Sequence, residues 1–593
     1  MTCLTMFIYG QNKDIIEKLD AKDSIAYLSS QKVLKSKAHK LLFKIIYKSK
    51  IRNEETEFYK EIQHLMPFDN KKIDTILFYQ MNAFGESVYD TSIRSNKFEI
   101  FLSEKIHVNT KIKVIKNRYL FFQKGDFFSP YRAFENARLI RSSGIFHDVK
   151  IQPVQVPNDT NHIILVYYIQ DVFPYGFSLG VNSMRDFSFG IENVNIMGLN
   201  HKLNTEFRIN SNDTRQVFGY GARYTIPNVF KRSFVDAYAQ FKNLSTIKNY
   251  EIGIYRLFAR PEFRWAGGNI TSYNERILNN INGTNIYNNV LDNQLWISRA
   301  FPFNQYNTTV NSIITGIKYN FVHNYERPPI SPNSNYRFWN TNLLLYSLGY
   351  SRIKYVQDRL INGFGRTEDI PIGISINGLY GMDFNEFNIR NYYGGQILGQ
   401  YYTKSGYYIN LSTRIGFYSQ DKNKDQGVFD FHLQNVSKAY KLGNFRLRNY
   451  FNLRTTIGIN QDSTEFITLT DYDGIRGANN GSFRGNSRFT SSFQSNLLLP
   501  FSFLGFRFSV LGVFEIAKIQ SSLGNFFGTP LKSGFSMGLA LKNENLIFDV
   551  IQIQYGYYPS TSNITQRGLV ISSIIPFRFQ SLDISKPNTV AYE

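Results

Sequence analysis

The residues Asp473-Gly474-Ile475-Arg476-Gly477, followed by Phe483-Arg484-Gly485-Asn486, put a guanidinium on a glycine turn. Asp and Gly supply the tight turn. The planar, permanently charged fork seeks a carboxylate or an aromatic face. That is positioning chemistry rather than bond-making chemistry. The nearby carboxylates Asp471 and Asp473 read as turn formers, and a lipase-like serine elbow is not expected. Cys3 is the only cysteine, and the eight histidines show no ligand spacing. Neither an internal disulfide nor a metal centre is therefore expected. The chain reads as a protein with no cofactor and no enzymatic activity.

The elements that would position such a residue are strands. Over Phe445–Ile459 apolar and polar side chains alternate. Phe445, Leu447, Phe451, Leu453, Ile457 and Ile459 fall on one face; Arg446, Arg448, Tyr450, Asn452, Arg454 and Thr456 fall on the other. A strand sends successive side chains to opposite faces, so one side is greasy and the other cationic. The same pattern recurs over His201–Asn210, Phe218–Ile226, 407–418, 506–516 and 569–579. Strands of this length suit a hydrocarbon layer of about 25–30 Å crossed at a tilt. The fold class expected is mainly β: a transmembrane antiparallel β-barrel.

Composition agrees. Aromatics make up 16% of residues, with 40 Tyr and 52 Phe against 8 Met, as aromatic girdles at two interfaces require. No apolar run approaches the length of a membrane helix. A mean hydropathy of -0.29 does not argue against a membrane protein, because only half of each barrel strand faces lipid. The net charge of +21 points to a cationic lumen and loops facing anionic lipid rather than to nucleic acid.

Four stretches follow along the chain. Residues 1–11 read as the remnant of a signal peptide, although its positive n-region is missing. Residues 12–70 read as a helical N-terminal extension, with Leu41, Leu42, Ile45 and Ile46 at helical spacing and a basic run over 32–50. Residues 71–173 read as a small α/β domain. Ser129 and Pro130 start a helix whose face carries Ala133, Phe134, Ala137 and Ile140, and Gly144 suits its end. Two strands follow, and 72–84 and 111–123 can supply the preceding strand and helix. Residues 174–593 are the barrel and a polar tail, room for about sixteen strands at ~26 residues each.

The middle zone carries a more specific likeness. Gly125-Asp126, Glu135, Leu139, Gly144 and Phe146 resemble a polypeptide-transport-associated (POTRA) repeat. With the Gly474-Ile475-Arg476-Gly477 loop in the barrel, the chain resembles the outer-membrane assembly-factor superfamily, the bacterial surface antigen family that includes BamA and TamA. The likeness spans about 71–593 and is that of a single-POTRA member. It implies that the loop folds back into the lumen, with Arg476 pinned against inner strand residues. Two departures stand out: Ala478 replaces the usual aromatic, and a glutamate on the following strand is replaced, with Gln494 at the candidate position.

The resemblance also implies a weak seam between first and last strands. The first strand is expected at 175–181, with Gly176 and Gly180 on its inner face beside Phe177. The closing strand is expected at 569–579, with Ile575, Phe577 and Phe579 outward and Pro576 removing one donor from the ladder. The function implied is insertion of client proteins into the outer membrane of a Gram-negative bacterium, by templating an incoming strand at the seam. A two-partner-type secretion pore is the alternative. Partners implied are unfolded outer-membrane protein clients, outer-membrane lipids and lipopolysaccharide, and periplasmic or lipoprotein accessory subunits. The POTRA domain is expected in the periplasm, and nucleic acid is not expected.

Overall fold

The computed structural model describes residues 62–592, apart from 85–87, 89–96, 184, 212–215, 245–246, 259–262, 280–284, 307–308, 421–422, 463–464, 470–473, 477–482, 504, 521–527, 548–549, 560–566 and 573–576. The expected signal remnant, nearly all of the helical extension, Gly477, Ile575 and Pro576 lie outside the described residues. All described residues except Pro500–Phe503 belong to one compact unit.

That unit begins with a three-stranded sheet. Strand β1 (Lys72–Met81) is followed by helices α1 (Lys97–Lys105), α2 (Ile112–Arg118) and α3 (Pro130–Ser142), then by β2 (Phe146–Val156) and β3 (Asp159–Asp171). The order is β1-β3-β2, with β1 parallel and β2 antiparallel to β3. Parallel pairing of β1 with β3 demands a long crossover, which the helices provide. Alternation along β3 sends Ile163, Leu165, Tyr167 and Ile169 into one core with Ile73, Ile115, Phe128, Ile140 and Phe146. Gly144 ends α3 at φ +76°, and its N–H donates to the Arg141 carbonyl, the left-handed exit that favours glycine. Ser129 holds the cap position of α3 without a side-chain cap bond.

The rest is a closed antiparallel barrel in which sequential strands are neighbours. Its first wall is β4 (Tyr175–Ser183), β5 (Asp186–Ile196), β6 (His201–Asn210), β7 (Phe218–Ile226), β8 (Asp236–Leu244) and β9 (Ile247–Arg256). Longer strands follow: β10 (Trp265–Asn279), β11 (Asn285–Tyr306), β12 (Thr309–Glu326), β13 (Thr341–Asp358) and β14 (Glu368–Asn385). Next come β15 (Ile389–Tyr402), β16 (Tyr408–Gln420), β17 (Asn423–Val436), the three-residue β18 (Tyr440–Leu442) and β19 (Phe445–Ile459). The short pair β20 (Ile467–Thr468) and β21 (Arg484–Gly485) lies outside the ladder. The circle is completed by β22 (Ser487–Phe503), β23 (Phe506–Gln520), β24 (Lys532–Asn543), β25 (Ile551–Tyr557) and β26 (Arg567–Ser572), which neighbours β4.

Without β18, twenty strands form the barrel among the described residues, not about sixteen. The turns are tighter than an even division of the chain allows: two residues separate β4 from β5, and two separate β8 from β9. The alternation of β19 is realised along its length. Phe445, Ile457 and Ile459 are exposed on the outside, while Arg446, Arg448, Tyr450 and Thr456 are buried within. Leu295, Ile297, Leu348, Ile397, Leu411, Ile415 and Leu539 continue the outer apolar belt that a lipid-facing wall needs.

Candidate functional site

Arg476 projects into the barrel and is buried. Its Nε lies 3.0 Å from Glu515 Oε1, and its backbone N–H donates to Glu515 Oε2 at 2.8 Å. Its Nη1 donates to Gln494 Oε1 at 2.8 Å and to Gln552 Oε1 at 3.4 Å. Strands β22, β23 and β25 thus hold one guanidinium, whose fork uses several directions at once. A carboxylate partner is therefore present: Glu515 on β23 takes the charge, and Gln494 on β22 takes a second N–H. Gln494, expected in place of a glutamate on the following strand, does contact Arg476, and Glu515 one strand further supplies the carboxylate. Ile475 is buried with Leu469, Ala517, Ile519 and Tyr558, and this anchors the turn; Gly474 beside it is also buried.

The expected closing strand is corrected. The last strand is described over Arg567–Ser572, and Phe577 and Phe579 lie outside any strand and do not face outward as lipid contacts. Phe577 is buried, and both rings sit edge-on to Tyr408, a residue of the inner wall, at 5.3 and 5.5 Å. An aromatic pair spaced by two fits an inner cluster as well as an outer strand face, so the alternation was continued too far. At the other side of the seam, Phe177 is exposed and stacks on Phe189 at 6.3 Å. A Cβ on Gly176 would meet the Glu192 side chain at 2.9 Å, and one on Gly180 would meet Ser188 Oγ at 2.7 Å.

Residues 577–592 then run through the barrel interior without joining the ladder, a feature with no counterpart in the sequence reading. Gln400 Nε2 donates to the Gln580 carbonyl at 2.7 Å and Ser351 Oγ to the Leu582 carbonyl at 3.3 Å. Further along, Lys318 Nζ donates to Asn588 Oδ1 at 3.0 Å, and Val590 N–H donates to the Tyr392 hydroxyl at 2.8 Å. The Tyr592 hydroxyl reaches the Asn486 carbonyl at 2.9 Å.

The small domain sits on the mouth at which β4 begins. Arg141 grips Asp369 with both ends of its fork, at 2.8 and 2.7 Å. Thr367 Oγ1 donates to Asp148 Oδ2 at 3.0 Å, and the Arg138 guanidinium lies 3.9 Å over the Tyr355 ring. Lys111 N–H donates to Gly198 O at 3.0 Å, and Phe173 N–H donates to Asn545 O at 2.9 Å. The turns after β5, β13 and β24 are all engaged. Between β13 and β14, residues 359–367 enter the mouth, where Ile361 and Phe364 pack into apolar clusters of the barrel. Arg448 ties this loop to β19 through Arg359 O at 2.7 Å and Asp358 Oδ2 at 2.8 Å. His147 on β2 is held below its usual range, first by burial and then by the Arg366 guanidinium.

The other motif residues serve the domain's own frame. Gly125 takes φ +91°, and Asp126 Oδ2 accepts the Gln123 N–H at 2.9 Å to close the turn before α3. Glu135 pairs with Arg138 at 2.9 Å, and Leu139 and Phe146 are core residues. Several arginines on the inner wall are paired locally: Arg414 and Arg454 share Asp430 at 2.8 and 2.9 Å, and Arg390 meets Asp383 at 2.7 Å. Two runs do spell G-x-S-x-G, around Ser178 and Ser536, but both serines lie inside strands β4 and β24 rather than at a strand-to-helix turn. No cluster of potential metal ligands occurs among the described residues.

No protein-family model matches the chain, and no curated protein matches it. Among solved structures it is similar to BamA from Haemophilus ducreyi lacking POTRA domains 1-3, with 11% identity over 85% of each chain and a TM-score of 0.36. It is also similar to CdiB from Acinetobacter baumannii, with 11% identity over 84% of this chain and 73% of that one, TM-score 0.41. CdiB from Escherichia coli gives 10% identity over 85% of this chain and 76% of that one, TM-score 0.41.

Proposed function

We propose that the protein is an outer-membrane assembly factor that inserts client proteins by offering them a strand edge at the β4–β26 seam. The observation that carries this is the disparity of strand lengths. Among the described residues the seam joins a nine-residue strand to a six-residue one, whereas β11 to β14 run eighteen to twenty-two residues. A short ladder parts at lower cost than a long one, and parted edges present unpaired N–H and C=O groups in register for a new strand. No covalent step and no cofactor is needed.

In this account the barrel lies in the outer membrane of a Gram-negative bacterium, with the 72–171 domain, POTRA-like, in the periplasm. Unfolded barrel proteins are the clients, and lipopolysaccharide and lipid contact the outer belt. Periplasmic or lipoprotein subunits would meet the domain's free face. A two-partner-type secretion pore is the second reading, and the extended segment 577–592 inside the lumen favours it. Depletion followed by quantitative proteomics of the outer membrane separates the two. General loss of barrel proteins supports insertion; loss of one exported protein, with other barrels intact, supports secretion and rejects insertion.

A further inference from the structure

We propose that the lumenal wall formed by β11 to β17 is a binding track for an extended polypeptide, and that residues 577–592 are its intramolecular occupant. Three of the wall's bonds go to main-chain groups of the segment: Gln400 to the Gln580 carbonyl, Ser351 to the Leu582 carbonyl, and Tyr392 to the Val590 N–H. Main-chain recognition does not depend on the sequence bound, and it is how an extended chain is held when many different ones must fit. Apolar side chains are seated beside these bonds. Phe577 and Phe579 lie against Tyr408, and Ile584 lies against Ala300 and Ile314. Lys586 lies over the Trp296 ring at 4.6 Å.

The wall offers more than the segment takes. Gln400 Oε1 and Asn377 Oδ1 are buried on it with no hydrogen-bond partner. Buried acceptors left unpaired are costly, and a chain that satisfied them would be held better than the resident one. The segment itself forms no helix or strand of its own, so its removal breaks no ladder. Its fifteen steps, at about 3.3 Å each, reach up to ~50 Å, enough to pass through a ~30 Å membrane core. The wall contacts follow in chain order from Tyr408, at the start of β16 near the docked domain, to Asn486, just before β22. The segment therefore occupies the path a threaded chain would take. This inference holds whether the client enters the membrane or crosses it.

Because the occupant is tethered, a peptide added in trans competes against a high effective concentration. The test uses the full-length protein and a variant lacking residues 577–593, each reconstituted in lipid vesicles and planar bilayers. The probe is a fluorescent synthetic peptide with the sequence of 577–592. The deletion variant is expected to conduct more than the full-length protein, to bind the peptide about 100-fold more tightly, and to lose conductance as the peptide binds. A folded, heat-modifiable deletion variant that conducts like the full-length protein and ignores the peptide would overturn the proposal.

Should the deletion variant not fold, Gly416→Cys with Val590→Cys decides. The Val590 Cβ lies 3.2 Å from a Cβ built on Gly416, a few tenths of an ångström inside disulfide spacing, and the Tyr392 hydroxyl that accepts the Val590 N–H must swing aside, its contact replaced by the covalent bond. The reduced form should bind the peptide as weakly as the full-length protein does, and oxidation should abolish that binding. Equal binding in the two states at saturating peptide would reject the proposal.

Discussion

At the scale of single residues, the structure turns on a guanidinium whose partners come from three strands. Arg476 and Glu515 are both buried, so removing one leaves the other as an uncompensated charge. Breaking such a pair typically costs about 3–5 kcal/mol. Arg476→Ala should therefore lower the unfolding temperature of the barrel markedly, as read by heat-modifiability on gels. Arg476→Lys should rescue little, because a single ammonium cannot reproduce contacts to Glu515, Gln494 and Gln552 together. Rescue by lysine equal to wild type would show that only charge matters. Residue type and turn chemistry made Arg476 stand out in the chain. Its carboxylate did not, because Glu515 lies 39 positions away on another strand and no local spacing points to it. Phe577 misled for a related reason: the alternation from Leu569 onward describes a strand and an inner aromatic cluster equally well until Tyr408 is in view.

At the scale of elements, strands were legible wherever one face met lipid. β19, β6 and β7 begin and end where their alternation does, because a slip of one residue would expose every charge to hydrocarbon. Helix α1 is not legible in the sequence, since its apolar residues Phe98, Ile100, Phe101 and Leu102 do not gather on one face. Docking of the small domain depends on contacts between distant segments and was likewise invisible. It makes two predictions. Arg141→Ala should loosen the domain from the barrel, leaving Asp369 without its bidentate partner, and protease sensitivity of the junction should rise by about a hundredfold or more as about 3–5 kcal/mol of docking is lost.

The second prediction concerns pH. His147 is held below its ordinary value of 6.5, so the unfolded or undocked state binds the proton more readily. By linkage, stability is fully present above about pH 6.5 and declines as the pH falls below that value. Thermal stability should thus drop between pH 7 and pH 5, and His147→Asn should flatten that dependence. An unchanged slope in the variant would remove His147 from the account.

At the scale of the whole molecule, several lumenal charges are held as paired clusters. Arg414, Arg454 and Asp430, then Arg390 and Asp383, line the wall as closed sets, and the segment 577–592 fills part of what remains. What varies around the circle is strand length, from twenty-two residues in β11 to six in β26 among the described residues. The central claim is that the β4–β26 junction opens to accept clients. The most direct measurement is client assembly in cells carrying a cysteine pair across β4 and β26, oxidised or reduced. If the seam is the working site, the oxidised barrel should fold and reach the membrane yet stop assembling client barrels, and reduction should restore assembly. Undiminished assembly with the seam covalently shut would contradict the account.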